Sequence, residues 1–282
     1  MGELIKGAPV AEAIREEIKA DVEMLRAKGI APKLAFIRVG AQGPDLAYER
    51  GATKTMGMCE IDTEVVELPE DITEEAYIEK LKEINAREDI HGILTFRPLP
   101  KHIRESVVKH VIDPAKDVDC FNPINMATVV EGDDNGFFPC TPAAVIEILD
   151  HYKVDLEGKN VTVIGHSNVV GKPVSLLLLN RNATVTTCHI FTKDTASMTK
   201  GADIVVSAAG VPALVKPEQV DDGVVVIDVG INFVDGKMCG DVDPAVADKA
   251  GMMTPVPGGV GAVTNTVLAK HVVIACKRQN NL

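Results

Sequence analysis

The stretch VIGHSNVVGKP at residues 163–173 joins a short apolar run to a helix-like segment, and it decides the fold. Within it, Gly165 and Gly171 frame the pattern Gly-x-Ser-x-x-x-Gly, to which Ser167 adds a hydroxyl. Such a turn needs small residues where the backbone bends and where the next helix packs on the sheet. The N-terminus of that helix then offers N–H groups to a pyrophosphate. Because the pattern is not G-x-G-x-x-G, an ordinary βα turn is the alternative interpretation.

The surroundings of this turn favour a nucleotide-binding domain. Apolar runs predict four strands, at 160–164, 183–187, 203–208 and 224–229. Helical segments or loops separate these strands, as in a doubly wound fold. Residues 207–210 and 228–232, which include Ile231, follow two of the strands. We expect them where the carboxyl edge of the sheet meets a bound cofactor.

The first part of the chain shows the same alternation of strands and helices. Strands are predicted at 33–40, 63–68 and 92–96, and helices within the first thirty residues, at 45–58 and after Thr73. The alternation predicts an α/β domain with a largely parallel sheet, and a proline-containing break at 138–142 marks its end. We therefore predict a first domain at 1–140, completed by a C-terminal helix at 265–282, and a Rossmann-like domain at 141–264.

Composition limits the classes of function. The 282 residues are 46% apolar and 25% charged, which are globular values, and their net charge is −12. No Lys/Arg run offers the basic patch of a nucleic-acid binder, and no apolar run reaches the about 18 residues of a membrane span. No secretory signal is visible, and six cysteines are scattered without a C-x-x-C pair. We therefore expect a cytoplasmic protein with free thiols and no metal site.

A glycine-rich segment, PVPGGVG at 255–261, is too flexible for the interior of a strand or a helix. One interpretation is a surface turn. The other, favoured by the apolar neighbours, is a loop whose backbone approaches a flat ligand closely.

Several segments together resemble the FolD family of methylenetetrahydrofolate dehydrogenase/cyclohydrolases, over essentially the whole chain. They are 34–40, 92–100, KDVD at 116–119, PCTP at 139–142, the turn at 165–173 and the segment at 255–261. The resemblance implies two α/β domains flanking a cleft, usually in a homodimer. It also implies oxidation of 5,10-methylenetetrahydrofolate with a nicotinamide cofactor, followed by hydrolysis of the methenyl product to 10-formyltetrahydrofolate.

The chain departs from the family pattern where hydrolysis is expected to occur. The family's catalytic helix reads Tyr-Val-x-x-Lys-x-Lys, whereas here Tyr48 is followed by Ala52 at the catalytic lysine position and by Lys54 at the second lysine. Residues two positions apart on a helix point in directions that differ by roughly 200° about the helix axis. Lys54 is therefore expected to point away from the side of position 52. Phe96 stands where the family has a glutamine.

These departures predict a dehydrogenase whose cyclohydrolase step is weak or lost. Hydride transfer mainly needs two stacked rings, whereas hydrolysis needs an activated water and polar groups for the developing charge. The first alternative is a fully bifunctional enzyme in which the helix unwinds at Gly51 and Lys54 reaches the site. The others are a catalytically silent folate- or nucleotide-binding protein and a Rossmann dehydrogenase of another substrate.

The resemblance also assigns candidate folate-binding residues. Tyr48 would stack on the aminobenzoyl group and Asp119 would bond the pterin, while Pro257 and Gly261 would line the folate pocket. The alternatives are a core tyrosine at position 48 and a salt-bridged or capping aspartate at 119. Arg97 and Lys54 are candidates for attracting the glutamate tail, or else are solvated surface residues.

The cofactor is predicted to be NAD rather than NADP. Its candidate binding residues are Gly165, His166, Ser167, Gly171, Ile190 and Ile231. Many family members carry Arg after the turn glycine, where this chain has His166, or Ser or Arg after a later histidine, where Ile190 follows His189. Neither offers the permanent positive charge that a 2′-phosphate needs. Lys193 keeps NADP open, and His189 is interpreted as a packed core histidine.

Overall fold

The computed structural model describes residues 2–282. Contacts divide the chain into two compact units. The first unit comprises Ala13–Cys140 and Asn265–Leu282, and the second comprises Thr141–Thr264 with the described residues up to Glu12.

Both units alternate strands and helices. The helices are α1 Gly7–Ala27, α2 Gly43–Met58, α3 Glu74–Asn85, α4 Glu105–Val108, α5 Pro123–Glu131, α6 Cys140–His151, α7 Gly171–Asn180, α8 Thr195–Thr199 and α9 Gly261–Gln279. The strands are β1 Glu3–Leu4, β2 Lys33–Val39, β3 Asp62–Leu68, β4 Gly92–Thr95, β5 Asn160–Ile164, β6 Thr184–Cys188, β7 Ile204–Ser207, β8 Val225–Asp228, β9 Asn232–Val234, β10 Lys237–Cys239 and β11 Met252–Met253.

The first unit contains a parallel sheet of three strands in the order β3-β2-β4. Every residue of β2 from Leu34 to Val39 is buried, as expected for a central parallel strand. Helix α3 begins after Thr73, whose hydroxyl accepts the Ala76 N–H at 3.2 Å. Its apolar face belongs to the core beside the sheet, and its buried members are Tyr77, Leu81 and Ile84.

The second unit contains a parallel sheet of six strands in the order β1-β11-β8-β7-β5-β6. The chain passes from β5 to β6 and then returns to β7 on the opposite side of β5. This reversal creates a topological switch point between the carboxyl ends of β5 and β7, where open α/β sheets bind ligands. Strands β9 and β10 form a separate antiparallel hairpin.

The structure differs from the sequence prediction chiefly in short elements. Strands β1 and β11 have two residues each, too few to produce a periodic pattern. The hairpin was also missed. Predicted residues 1–12 of the first domain lie, as far as they are described, in the second unit, because β1 pairs with β11.

The remaining global features concern the membrane and the cysteines. Among residues 2–282, no helix has the length and apolar character needed to cross a bilayer. All six cysteines are free thiols, and all but Cys239 are buried.

Candidate functional site

The turn after β5 owes its shape to two glycines. Gly165 has φ of +120°, and a Cβ there would collide with the Ala208 carbonyl oxygen, which follows β7. A Cβ at Gly171 would collide with the carbonyl of Gly165. Only glycine fits both positions, so the backbone of the turn lies directly at the switch point. Ser167 Oγ accepts the N–H of Val170 at 3.1 Å, which orders the entry to α7.

Two histidines stand beside this turn. The rings of His166 and His189 lie 4.8 Å apart, and both side chains are exposed. The interpretation of His189 as a core histidine is therefore wrong. Its Nδ1 accepts the Phe191 N–H at 3.2 Å because the chain turns at the end of β6. Ile190, which lies between His189 and Phe191 in the chain, is 86% exposed.

Two buried aspartates shape the loops that follow β7 and β8. Asp241 Oδ2 accepts the N–H groups of Ala209 at 2.7 Å and Gly210 at 3.0 Å. Asp228 Oδ1 accepts the N–H groups of Gly230 and Asp241. Burial, with a smaller contribution from the Asp241 carboxylate, raises the pKa of Asp228 to about 6. Sequence analysis missed Asp241, since its partners lie about thirty residues earlier in the chain.

A cavity of about 320 Å³ opens beside these loops in the second unit. Its lining comes from residues 228–231, Met238 and residues 255–262. It therefore brings together Ile231, Pro257 and Gly261, three of the residues singled out in the sequence. The glycine-rich segment therefore lies on the wall of this cavity.

In the first unit, Tyr48 and Phe96 form one apolar face. Their rings lie 5.9 Å apart in an edge-to-face arrangement. Burial first, then the Asp119 carboxylate and Cys140, raise the pKa of the Tyr48 hydroxyl well above its usual range, so the phenol is neutral at physiological pH. Ala52, one turn after Tyr48 on α2, is fully buried.

Lys54 lies outside this apolar face. Helix α2 runs without a break from Gly43 to Met58, and the Gly51 carbonyl accepts the hydroxyl of Thr55 at 3.1 Å. The Lys54 side chain is exposed whereas Ala52 is not. The helix thus turns the two residues to different sides, as the 3.6-residue period requires.

Asp119 stands at the polar end of the Tyr48–Phe96 face. Its Oδ1 accepts the Cys140 N–H at 3.2 Å, and its Oδ2 accepts Arg97 Nη2 at 3.3 Å. The Arg97 guanidinium also lies 4.6 Å from the centroid of the Phe121 ring. The salt-bridged alternative for Asp119 is therefore realised, with a partner that sequence analysis did not assign to it.

Asp117 supports the loop that carries Asp119. Its carboxylate accepts the N–H groups of Phe121 at 2.9 Å and Asn122 at 2.7 Å, and the Asn125 amide at 2.9 Å. Burial raises the pKa of Asp117 to about 6, although these hydrogen bonds oppose the shift. Among residues 2–282, no group of three or more His, Cys, Asp or Glu side chains is placed to hold a metal ion.

Comparison with family models matches both parts of the chain. Residues 5–119 match the catalytic domain of tetrahydrofolate dehydrogenase/cyclohydrolase, and residues 139–280 match its NAD(P)-binding domain. Fold and site thus define a two-domain α/β protein with an NAD(P)-binding domain. The chain belongs to the tetrahydrofolate dehydrogenase/cyclohydrolase family, known as FolD.

Similar proteins cover the whole chain. It is 57% identical to the bifunctional protein FolD of Alkaliphilus metalliredigens over all of both chains. It is 58% identical to that of Clostridioides difficile over 99% of this chain and 98% of the relative.

Two solved structures are also similar. The bifunctional FolD enzyme of Campylobacter jejuni has a TM-score of 0.97 and 40% identity, with all of both chains covered. FolD of Trypanosoma brucei, solved with NADP and an inhibitor, has a TM-score of 0.93 and 38% identity, covering 100% of this chain and 99% of the other.

Proposed function

We propose that this protein oxidises 5,10-methylenetetrahydrofolate to the methenyl compound with a nicotinamide cofactor. The observation that carries the proposal is the glycine turn at the β5–β7 switch point, in a chain of this family. A Cβ at Gly165 or Gly171 would collide with neighbouring backbone, so only glycine lets the turn lie this close to the strand ends. The cofactor would accept the hydride when bound. The chain's own groups would bind the cofactor and the folate and orient them toward each other.

The proposed cofactor site consists of Gly165, Ser167 and Gly171 at the pyrophosphate, with His166, Ile190 and Ile231 around it. The positive end of the α7 helix dipole favours an anion there. Ile231 lines the cavity of the second unit, which suits an apolar contact with a flat ring.

The proposed folate-binding residues of the first unit are Tyr48 and Asp119. For the second unit the family resemblance proposes Pro257 and Gly261, which line its cavity. Tyr48 is neutral and packs on Phe96, so it offers a ring face or edge rather than a charge. Asp119 offers a carboxylate to the polar edge of a pterin. Stacking and orientation of this kind are what hydride transfer requires.

Hydrolysis of the methenyl product is the second candidate activity. The names of the bifunctional relatives support it. The side chains around Tyr48 favour a slow reaction, because Ala52 and Phe96 offer no hydrogen bond to water and Lys54 is exposed. We propose that hydrolysis is slower than oxidation, so that methenyltetrahydrofolate accumulates.

A progress curve separates these possibilities. Purified protein receives methylenetetrahydrofolate with NAD or NADP, and reduced nicotinamide and the methenyl compound are recorded together. Equimolar accumulation followed by decay at the buffer rate supports a dehydrogenase alone. Disappearance of the methenyl compound as it forms supports full bifunctionality, and no reduced nicotinamide with either cofactor would refute the main proposal.

We further propose a preference for NAD. Exposed His166 and Ile190 present no permanent cation at the cofactor turn. The expected result is a kcat/KM for NAD at least several-fold above that for NADP. A reversed ratio would point to Lys193 or to the histidines as ligands of the 2′-phosphate.

A homodimer is proposed as the assembly, as the family resemblance implies. Light scattering behind size exclusion should give twice the chain mass of 30.1 kDa. A mass equal to one chain would refute it.

A further inference from the structure

The segment after β4 places a positive charge at the proposed folate site. Arg97 Nη2 donates to Asp119 Oδ2 at 3.3 Å, and the guanidinium stacks over Phe121. The side chain of Arg97 is 21% exposed and that of Asp119 is 27% exposed. Two contacts therefore fix the guanidinium in a partly buried position, where charge interactions are screened less than on an open surface.

The surroundings of this ion pair are largely uncharged. Tyr48 is neutral, and Ala52 and Phe96 are apolar. The carboxylate of nearby Asp117 is occupied by three N–H groups of its own loop. Arg97 thus cancels the charge of Asp119.

The proposed reaction changes the charge of the ligand at this place. The C–H bond of the bridging carbon breaks with its electron pair, and a C–H bond forms at C4 of the nicotinamide. The folate is oxidised and its neutral methylene bridge becomes a methenyl cation, whose charge is shared by two nitrogens. A lone carboxylate beside the ring would hold the cationic product more tightly than a neutral folate.

We propose that Arg97 is a specificity-determining residue that neutralises Asp119 and so prevents preferential retention of the cationic product. This inference rests on the proposed function. It assigns to Arg97 a role in the balance between neutral and cationic folates, and not in the chemical step.

The test compares the dissociation constants of two ligands, methenyltetrahydrofolate and tetrahydrofolate. The first is a cation, and the ring of the second is neutral. Both constants are measured by calorimetry in mildly acidic buffer without nicotinamide cofactor. In Arg97→Leu, the ratio of the two constants should shift toward the cation by about tenfold, the order expected for one unit charge in a partly screened site. Arg97→Lys, which keeps the charge, should stay within about twofold of the wild-type ratio.

A double variant guards against misfolding as an explanation. Arg97→Leu with Asp119→Asn has no net charge, so its ratio should return toward the wild-type value even if both ligands bind more weakly. Arg26→Leu removes a surface ion pair with Asp62 and serves as the control.

An unchanged ratio in Arg97→Leu, even with weaker binding of both ligands, would overturn the inference and leave Arg97 a structural role. The binding ratio needs no turnover. Absence of nicotinamide reduction in the wild type would therefore count against the proposed function alone, whereas failure to bind either folate would overturn both.

Discussion

The segments that follow β5 and β4 form the proposed ligand-binding surfaces of their units in different ways. After β5, Gly165 and Gly171 place bare backbone at the switch point. After β4, Phe96 and Arg97 present side chains, an aromatic ring and a guanidinium. The surface after β5 consists of backbone, because glycine has no side chain. The surface after β4 consists of the side chains of Phe96 and Arg97.

This difference indicates how each surface responds to a substitution. At the glycine turn almost any substitution adds a Cβ that meets backbone, and the backbone cannot give way cheaply. Near Tyr48, Ala52 and Phe96 are buried at 0% and 8% exposure in a packed core. Ala52 and Phe96, on which the expectation of slow hydrolysis depends, both lie in the first unit.

The largest effect is expected from a substitution that alters the backbone surface after β5. Gly165→Ala must displace the carbonyl of Ala208 and also adopt a φ of +120°. We expect dehydrogenase kcat/KM to fall by about 100-fold or more, since small displacements of reacting groups cost that much. Steady-state kinetics and calorimetric binding of the nicotinamide cofactor measure it.

The matched control is Gly158→Ala in the same unit. Gly158 also has a positive φ, +72°, but no atom lies within 4 Å of its Cβ position. It should lose about 1 kcal/mol of stability and keep its kinetic constants. Equal losses of activity in both variants would show that strain, rather than the collision at the switch point, matters.

The next effect concerns a feature that the two units share. Asp117 and Asp228 are buried carboxylates, each with a pKa raised to about 6 chiefly by burial. Between about pH 4 and pH 6 the folded state holds protons that the unfolded state has released. The free energy of unfolding therefore falls as pH rises through this window. A pKa raised from 3.8 to about 6 corresponds to a fall of about 3 kcal/mol for each carboxyl group.

Asp117→Asn and Asp228→Asn remove these titrations one at a time. Each variant loses hydrogen bonds at every pH, so the informative quantity is the slope of unfolding free energy against pH from urea titrations. Each slope should be less negative than that of the wild type. An unchanged slope would mean that the carboxylate concerned is ionised throughout the window.

A smaller effect is expected when the side-chain surface is altered. Ala52→Lys with Phe96→Gln introduces a polar pair beside Tyr48. We expect methenyl hydrolysis to rise at least about tenfold relative to oxidation, because acid–base help commonly contributes 10²–10⁴-fold. Ala52→Met with Phe96→Leu has bulky apolar side chains at both positions and should not raise hydrolysis. An equal rise in both pairs would attribute the effect to packing.

The smallest effect is expected from Lys54→Gln. Its exposed side chain lies away from Ala52, so oxidation and hydrolysis should each change by less than about twofold. A loss of hydrolysis by tenfold would show that Lys54 reaches the reacting atoms and that the helix opens at Gly51.

Local patterns predicted most of the framework. The strand at 160–164 has the predicted bounds, and Thr73 caps α3 as its position suggested. Helical geometry alone anticipated the opposite orientations of Ala52 and Lys54. These features depend on neighbours within a few residues, which a single sequence contains.

Long-range pairings were not predictable in this way. Arg97 finds Asp119 across 22 residues, and Asp241 organises backbone about thirty residues earlier. His189 seemed suited to a core, but the turn at the end of β6 leaves it exposed. Each of these contacts and exposures depends on how the loops at the strand ends pack together. The periodicity of apolar residues in the sequence contains no information about that packing.

Strand β1 has a practical consequence for handling the protein. It forms the outer edge of the six-stranded sheet, where Glu3 and Ile5 donate N–H groups to Gly251 and Met253. Removing residues 2–5 would leave β11 with an unpaired edge, a known template for aggregation. A purification tag or a fluorescent fusion therefore belongs at the C-terminal end, where exposed Asn281 and Leu282 follow α9 and no sheet edge is disturbed.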